Sequence, residues 1–155
     1  MSRFTEPPKK SLGQHFLHDR GIIEKIVHAV QPQPGDRLVE IGPGQGAITF
    51  PLLRKHGALT VIEFDRDLIT PLMEASEGIG ELTVIHKDVL KVDFGKLGAD
   101  GPPIRLVGNL PYNISTPTCS TCSNTRRPCA TCTSCCRRKW SSAWPASRAA
   151  RYMAD

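Results

Sequence analysis

Asn109-Leu110-Pro111-Tyr112 is the stretch of this 155-residue chain whose residue types are best suited to chemistry. The apolar run 104–107 leads into it, so the four residues stand where a strand ends. There the Asn109 side-chain oxygen and a nearby backbone carbonyl can accept both N–H bonds of an exocyclic amine. The amine's lone pair is then aimed at an electrophile, and Tyr112 can stack on the ring. Without other context the same residues are a β-turn with a buried tyrosine.

The context lies upstream. Residues 38–49, LVEIGPGQGAIT, read as a buried strand, a glycine turn and the start of a helix. Gly42, Pro43, Gly44 and Gly46 form the turn, and glycine lets a ligand approach the backbone closely. Three acids, Glu40, Glu63 and Asp88, close three successive strands. In open α/β sheets ligands bind at the carboxyl ends of strands. Glu63 lies 19 residues beyond Gly44, a spacing that fits an acid accepting from a ribose diol. Asp88 is placed to accept from an adenine amine. The plain alternative is that each acid caps the next helix. Three of them beside one glycine turn favour a nucleoside-type cofactor. A nucleoside triphosphate is not expected, because the helix after the turn lacks the Gly-Lys-Ser/Thr ending of a P-loop.

The elements that must position these residues follow from periodicity and punctuation. Asp19 can cap a helix beginning near Arg20. Ile22, Ile23, Ile26, Val27 and Val30 then give it one apolar face, and Pro32, Pro34 and Gly35 end it. Strands are expected at 38–41, 59–63, 82–85 and 104–107, with helices at about 47–55 and 65–75. Strand and helix in alternation indicate an α/β fold, a parallel sheet with right-handed crossovers.

Taken together, KKSLGQHFL (9–17), VEIGPGQGAIT (39–49), VIEFDRDL (61–68) and NLPYNIST (109–116) resemble the ribosomal RNA adenine N6,N6-dimethyltransferases. The resemblance covers roughly residues 9–117. It implies S-adenosylmethionine as cofactor and a class I, Rossmann-like methyltransferase sheet of seven strands. Carried over by position, His15 and Leu17 flank the cofactor, Gly42 approaches its amino-acid part and Glu63 holds the ribose. Asp88 holds the adenine, and Asn109 lies near the reactive methyl. Asn109, Leu110, Pro111 and Tyr112 would receive the target adenine. The implied reaction is dimethylation of two adjacent adenosines near the 3′ end of small-subunit rRNA during ribosome biogenesis. It needs neither a metal nor a covalent intermediate. The large-subunit relatives tend to carry isoleucine in place of Leu110, which favours the small-subunit enzyme. An adenine DNA methyltransferase is a rival, against which the 9–17 stretch argues.

Composition divides the chain near Thr118. Residues 1–118 carry 13 Lys+Arg against 14 Asp+Glu, whereas residues 119–155 carry 7 against 1. All six cysteines fall in the second part, and the formal net charge of +5 comes from there too. Cys119-x2-Cys122 and Cys129-x2-Cys132-x2-Cys135-Cys136 have the spacing of metal ligands. A zinc-binding or RNA-binding interaction protein is therefore the non-enzymatic alternative. The tail also has no helical or strand period. A one-base slip near codon 118 accounts for it better. In the neighbouring frame Cys135-Cys136 rereads as leucine, Trp140 as valine and Trp144 as methionine. With wobble bases chosen freely, the tail then yields MLQKEVVERM and PGSK-x-YGR segments similar to the family's continuation.

The expected organisation is thus 1–20 as a cofactor- and RNA-contacting lead, 21–117 as the first part of the methyltransferase domain, and 118–155 as a frame-shifted, disordered tail. On this reading the sheet is incomplete and the C-terminal helical domain is absent, so the chain should be poorly stable and methylate rRNA little. No apolar run reaches the ~18 residues that span a bilayer, and no signal-peptide core is present at the start. A soluble, cytoplasmic monomer acting on the immature small ribosomal subunit is expected.

Overall fold

A computed structural model describes residues 17–102 and 104–108. His15, the Asn109 to Tyr112 stretch and the Cys-rich tail lie outside the described residues. In order the elements are α1 (Arg20–Val30), β1 (Arg37–Ile41), α2 (Thr49–His56), β2 (Ala58–Glu63), α3 (Arg66–Ser76) and β3 (Glu81–His86). A 3-10 turn (Val89–Lys91), the single turn α4 (Phe94–Leu97) and β4 (Ile104–Val107) follow.

The four strands form a parallel sheet in the order β3-β2-β1-β4. From β1 the chain moves outward through β2 to β3, then returns to place β4 on the other side of β1. The strand order therefore reverses between β1 and β4, and such a switch point leaves a crevice at the carboxyl ends of the two strands. Register pairs Val39 with Thr60 on one side and with Leu106 on the other.

Side chains alternate across the sheet, and each face has its own core. Leu38, Leu59, Val61 and Val107 pack with Val27 and Val30 of α1, Leu52 and Leu53 of α2, and Leu72 of α3. On the other face Val39, Ile41, Ile62, Ile104 and Leu106 pack with Val89, Val92 and Phe94. β1 and β2 are apolar on both faces, as strands covered on both sides must be.

Four helix starts are capped by aspartates. Asp19, Asp65, Asp88 and Asp93 each accept a backbone N–H two or three residues on, opening α1, α3, the 3-10 turn and α4. α2 is the exception, since Ile48 has no capping side chain. Its helix starts at Thr49 rather than Ala47, because the glycine turn runs on through Gly46 at φ 83°. Ile22, expected on the buried face of α1, is 47% exposed in that helix's first turn. α3 continues over Pro71, which has no N–H to donate. The 89–97 segment was not anticipated, as one 3-10 turn and four helical residues are too short to show a period.

The amino-terminal end of the sheet is tied by Arg105. Its guanidinium bonds the Asp36 carboxylate, the Val30 carbonyl and, at 3.4 Å, the Gln31 carbonyl. A cation is thus held at the C-terminus of α1, where the helix dipole favours positive charge. Among the described residues no helix is long and apolar enough to cross a membrane.

Candidate cofactor site

The glycine turn leaves β1 at the switch point. Gly42 still belongs to the sheet, donating to the Ile62 carbonyl at 2.9 Å, and Gly46 closes the turn onto Pro43 at 2.9 Å. Gly46 cannot be replaced cheaply. Its φ is 83°, and a Cβ there would stand 2.3 Å from the Phe50 ring. The turn therefore carries no side chain at Gly42, Gly44 and Gly46, which all have positive φ as the chain leaves β1.

Glu63 closes on this turn from β2. Its Oε2 accepts the Gly44 N–H at 3.4 Å, and its Oε1 accepts from Phe64 and Asp65, each at 2.8 Å. The backbone donors hold the carboxylate in place without using all of its acceptor positions. Burial pushes the Glu63 pKa up, the three N–H donors pull it down, and nearby Asp65 pushes it up again. The net direction is upward, so the buried acid lacks full compensation for lost water.

Asp88 occupies the expected place at the end of β3. Its Oδ1 caps the 3-10 turn through the Leu90 N–H at 3.0 Å. The plain capping role is therefore present, and the side chain is only half-buried.

Glu40 departs from expectation. It is 2% exposed and receives the Thr49 hydroxyl at 2.6 Å. Its carboxyl is held beneath the start of α2, whereas the Glu63 carboxyl reaches the Gly44 N–H of the turn. The reason is parity and position. Glu40 faces the helices, and α2 begins over it with Thr49, which is also fully buried. Burial pushes the Glu40 pKa up to about 8, with Glu63 adding to the rise and Thr49 opposing it.

Leu17 packs against the helix-side core. At the other side of the switch point, Gly108 ends β4 against β1. A Cβ on Gly108 would lie 2.7 Å from the Ile41 carbonyl oxygen. Glycine there is what lets the chain leaving β4 pass this close to the end of β1.

Two side chains emerge that sequence reading passed over. Phe64 is 58% exposed just beyond β2, and Leu90 is 46% exposed just beyond β3. They stand past the carboxyl ends of neighbouring strands, beside Glu63 and Asp88. An apolar residue one place (Phe64) or two places (Leu90) after a strand-end acid was the available signal. Thr49 was also passed over, since a threonine at a helix start reads first as a cap. Among the described residues, no group of three His, Cys, Asp or Glu could hold a metal ion.

Comparison with known proteins gives consistent results. The ribosomal RNA adenine dimethylase family matches residues 6–134, running beyond the quoted motifs into the Cys-rich segment. The ribosomal RNA small subunit methyltransferase A of Xanthomonas campestris pv. campestris is 73% identical over 116 residues, 75% of this chain and 44% of that protein. Its counterpart in Xanthomonas oryzae pv. oryzae is 74% identical over the same length. The chain thus spans less than half the length of these relatives. Among solved structures, a dimethyladenosine transferase from Plasmodium falciparum is 28% identical with a TM-score of 0.62, the match covering 74% of this chain and 40% of that one. The 23S rRNA methyltransferase ErmE has the same identity and TM-score, covering 74% and 45%.

Proposed function

The chain belongs to the ribosomal RNA adenine dimethylase family, and from that premise we propose that it serves S-adenosylmethionine-dependent N6,N6-dimethylation of two adjacent adenosines near the 3′ end of small-subunit rRNA. The fold is the Rossmann-like sheet of class I S-adenosylmethionine-dependent methyltransferases. The observation that carries the proposal is the closure of Glu63 on a glycine turn, at the switch point from which Gly108 leads to Asn109.

The described residues fit the cofactor. Gly42, Gly44 and Gly46 offer backbone without side chains, and Glu63 offers a fixed carboxylate to a ribose diol. Asp88 keeps acceptor capacity beyond its cap for the adenine amine, and Phe64 and Leu90 offer apolar surface to the base. His15 and Leu17 belong to the lead that flanks the site, with Leu17 anchoring it in the core. When bound, the cofactor supplies an electrophilic methyl on a sulfonium. The chain's own contribution is positioning. Asn109 and a neighbouring carbonyl hold the two N–H groups of the target amine, while Leu110 and Pro111 shape the turn and Tyr112 stacks on the base. Holding two reactants in line accounts for much of the acceleration such a transfer needs. The target adenine must leave any stack to reach this turn.

The same reading places the protein in the cytoplasm, as a monomer acting on the immature small ribosomal subunit without a metal. It also takes residues 118–155 as a shifted reading frame, which resequencing around codon 118 tests. Identity above 70% to small-subunit enzymes, against 28% to ErmE, favours the small subunit as substrate. Equilibrium dialysis of the chain with labelled S-adenosylmethionine is the direct check. Binding that falls at least about tenfold in Glu63→Ala is expected, and no binding at all overturns the cofactor assignment.

A further inference from the structure

Glu40 is the acid that the binding scheme above does not use. It stands two residues before Gly42, while its partner Thr49 stands three residues after Gly46, so the carboxyl–hydroxyl pair bridges the base of the glycine turn. The groups facing the Glu40 carboxyl are Thr49 from α2 and Glu63 from β2, and β4 brings Val107 alongside in register. Asp65 lies beyond Glu63 and acts on that acid. Among the described residues, no cation pairs with Glu40 or Glu63. A carboxyl nearly removed from water, with another acid on the adjacent strand, either keeps a proton or waits for positive charge. The rise of its pKa to about 8 agrees with the first state in the unliganded protein.

Resting on the cofactor reading above, we propose that Glu40, held by Thr49, is a specificity-determining residue that releases its proton to solvent when a cationic nucleoside sulfonium seats on the glycine turn. No bond to the cofactor forms. The carboxylic acid becomes a carboxylate, and the proton leaves to buffer. In a low-dielectric interior the sulfonium charge favours the ionised form, and by linkage the ionised form favours the sulfonium equally. After methyl transfer the sulfur is a neutral thioether, so only the amino-acid ammonium, which donor and product share, still gains from the carboxylate. The pair therefore helps the site prefer the methyl donor to its spent product, and increasingly so as pH rises.

Calorimetric titration of the whole chain tests this. S-adenosylmethionine and S-adenosylhomocysteine are titrated from about pH 6 to about pH 9, in buffers of different ionisation enthalpy. S-adenosylmethionine should release close to one proton more than S-adenosylhomocysteine at neutral pH. The affinity ratio should move about tenfold toward the sulfonium across that range. Glu40→Gln should abolish both effects, and subtracting its profile removes titration of the ligands' own amino groups. Thr49→Val should move the transition to higher pH, with Thr49→Ser restoring it, so the Thr49 pair decides if Glu40→Gln does not fold. Equal proton release by the two ligands, or a pH profile unchanged in these variants, overturns the inference and leaves the cofactor reading standing. Failure of both ligands to bind at any pH overturns the cofactor reading, and this inference with it.

Discussion

The two ends of the sheet treat acids in opposite ways, one half-buried and paired with a cation, the others buried without one. At the amino-terminal end, Asp36 accepts the Gln33 N–H at 2.8 Å and pairs with Arg105, which also holds the last carbonyls of α1. Burial pushes the Asp36 pKa up, but the Gln33 amide and the Arg105 guanidinium outweigh it, and the net shift is down. At the carboxyl-terminal end, Glu40 and Glu63 have only neutral donors among the described residues, and both are shifted up. A charge paired within the fold steadies that fold. A buried acid supplied only with dipoles keeps an unmet demand for positive charge, and here the two such acids lie beside the glycine turn.

The difference predicts opposite pH responses. The depressed Asp36 pKa contributes stability above its unfolded value near 3.8, lost as pH falls through the folded pKa. The raised Glu40 pKa contributes stability that is full below 4.5 and lost as pH rises through about 8.

The largest effect should come from Glu40. Urea unfolding at about pH 5 and about pH 9 should show the native sequence losing on the order of 4 kcal/mol through this group. Glu40→Gln should lose clearly less, through the raised Glu63 alone, and an equally steep fall in the variant would erase the contrast between the two ends. Next in size is Arg105→Met, which strands Asp36 and two helix carbonyls. It should cost about 3 kcal/mol at neutral pH, read from the urea midpoint, and a change below about 0.5 kcal/mol would show that the clamp is ornamental. Gly108→Ala should cost about 2 kcal/mol by forcing β4 away from the Ile41 carbonyl. It should also leave the pH profile intact, which separates strand spacing from charge. The smallest effect sharpens the role of Asp88. Thermal melts of Asp88→Ala should fall by about 1 kcal/mol, while Asp88→Asn keeps the cap and stays near the native value. Cofactor affinity weakened in both variants would add a ligand role to the cap, whereas affinity lost only in Ala would reduce Asp88 to a cap.

Much of this architecture was legible in the chain. The 3.6 period of α1, the Asp19 cap and the apolar runs of β1 and β2 are local signals, and they placed those elements to within a residue or two. The glycine turn was legible because its conformation needs residues without a Cβ. Glu63 was located correctly because strand-end spacing after the turn is itself a local pattern. Asp88 was located correctly too, although spacing did not distinguish a cap from a ligand, and the structure shows the cap. Glu40 was expected at the ligand-binding end of its strand, and it stands there but is buried against Thr49. Nothing local distinguishes an acid at the end of a strand from one beneath the next helix, since the start of α2 decides that. Arg105 drew no notice, because its partner Asp36 is 69 residues away along the chain.

By itself the sequence determined the alternation of strands and helices, the backbone freedom of the turn, the cap residues and the family resemblance. All of these depend on residue types at short separation. Tertiary structure alone decided which acids are paired and which are buried without a cation. It also decided that β4 returns beside β1 and that Gly108 must lack a Cβ to let it do so. These outcomes depend on side-chain parity across a closed sheet and on contacts between distant residues. An ionisable group takes its charge state from the dielectric and the partners that packing gives it, so Glu40 and Asp36 look alike in the sequence and behave oppositely in the fold.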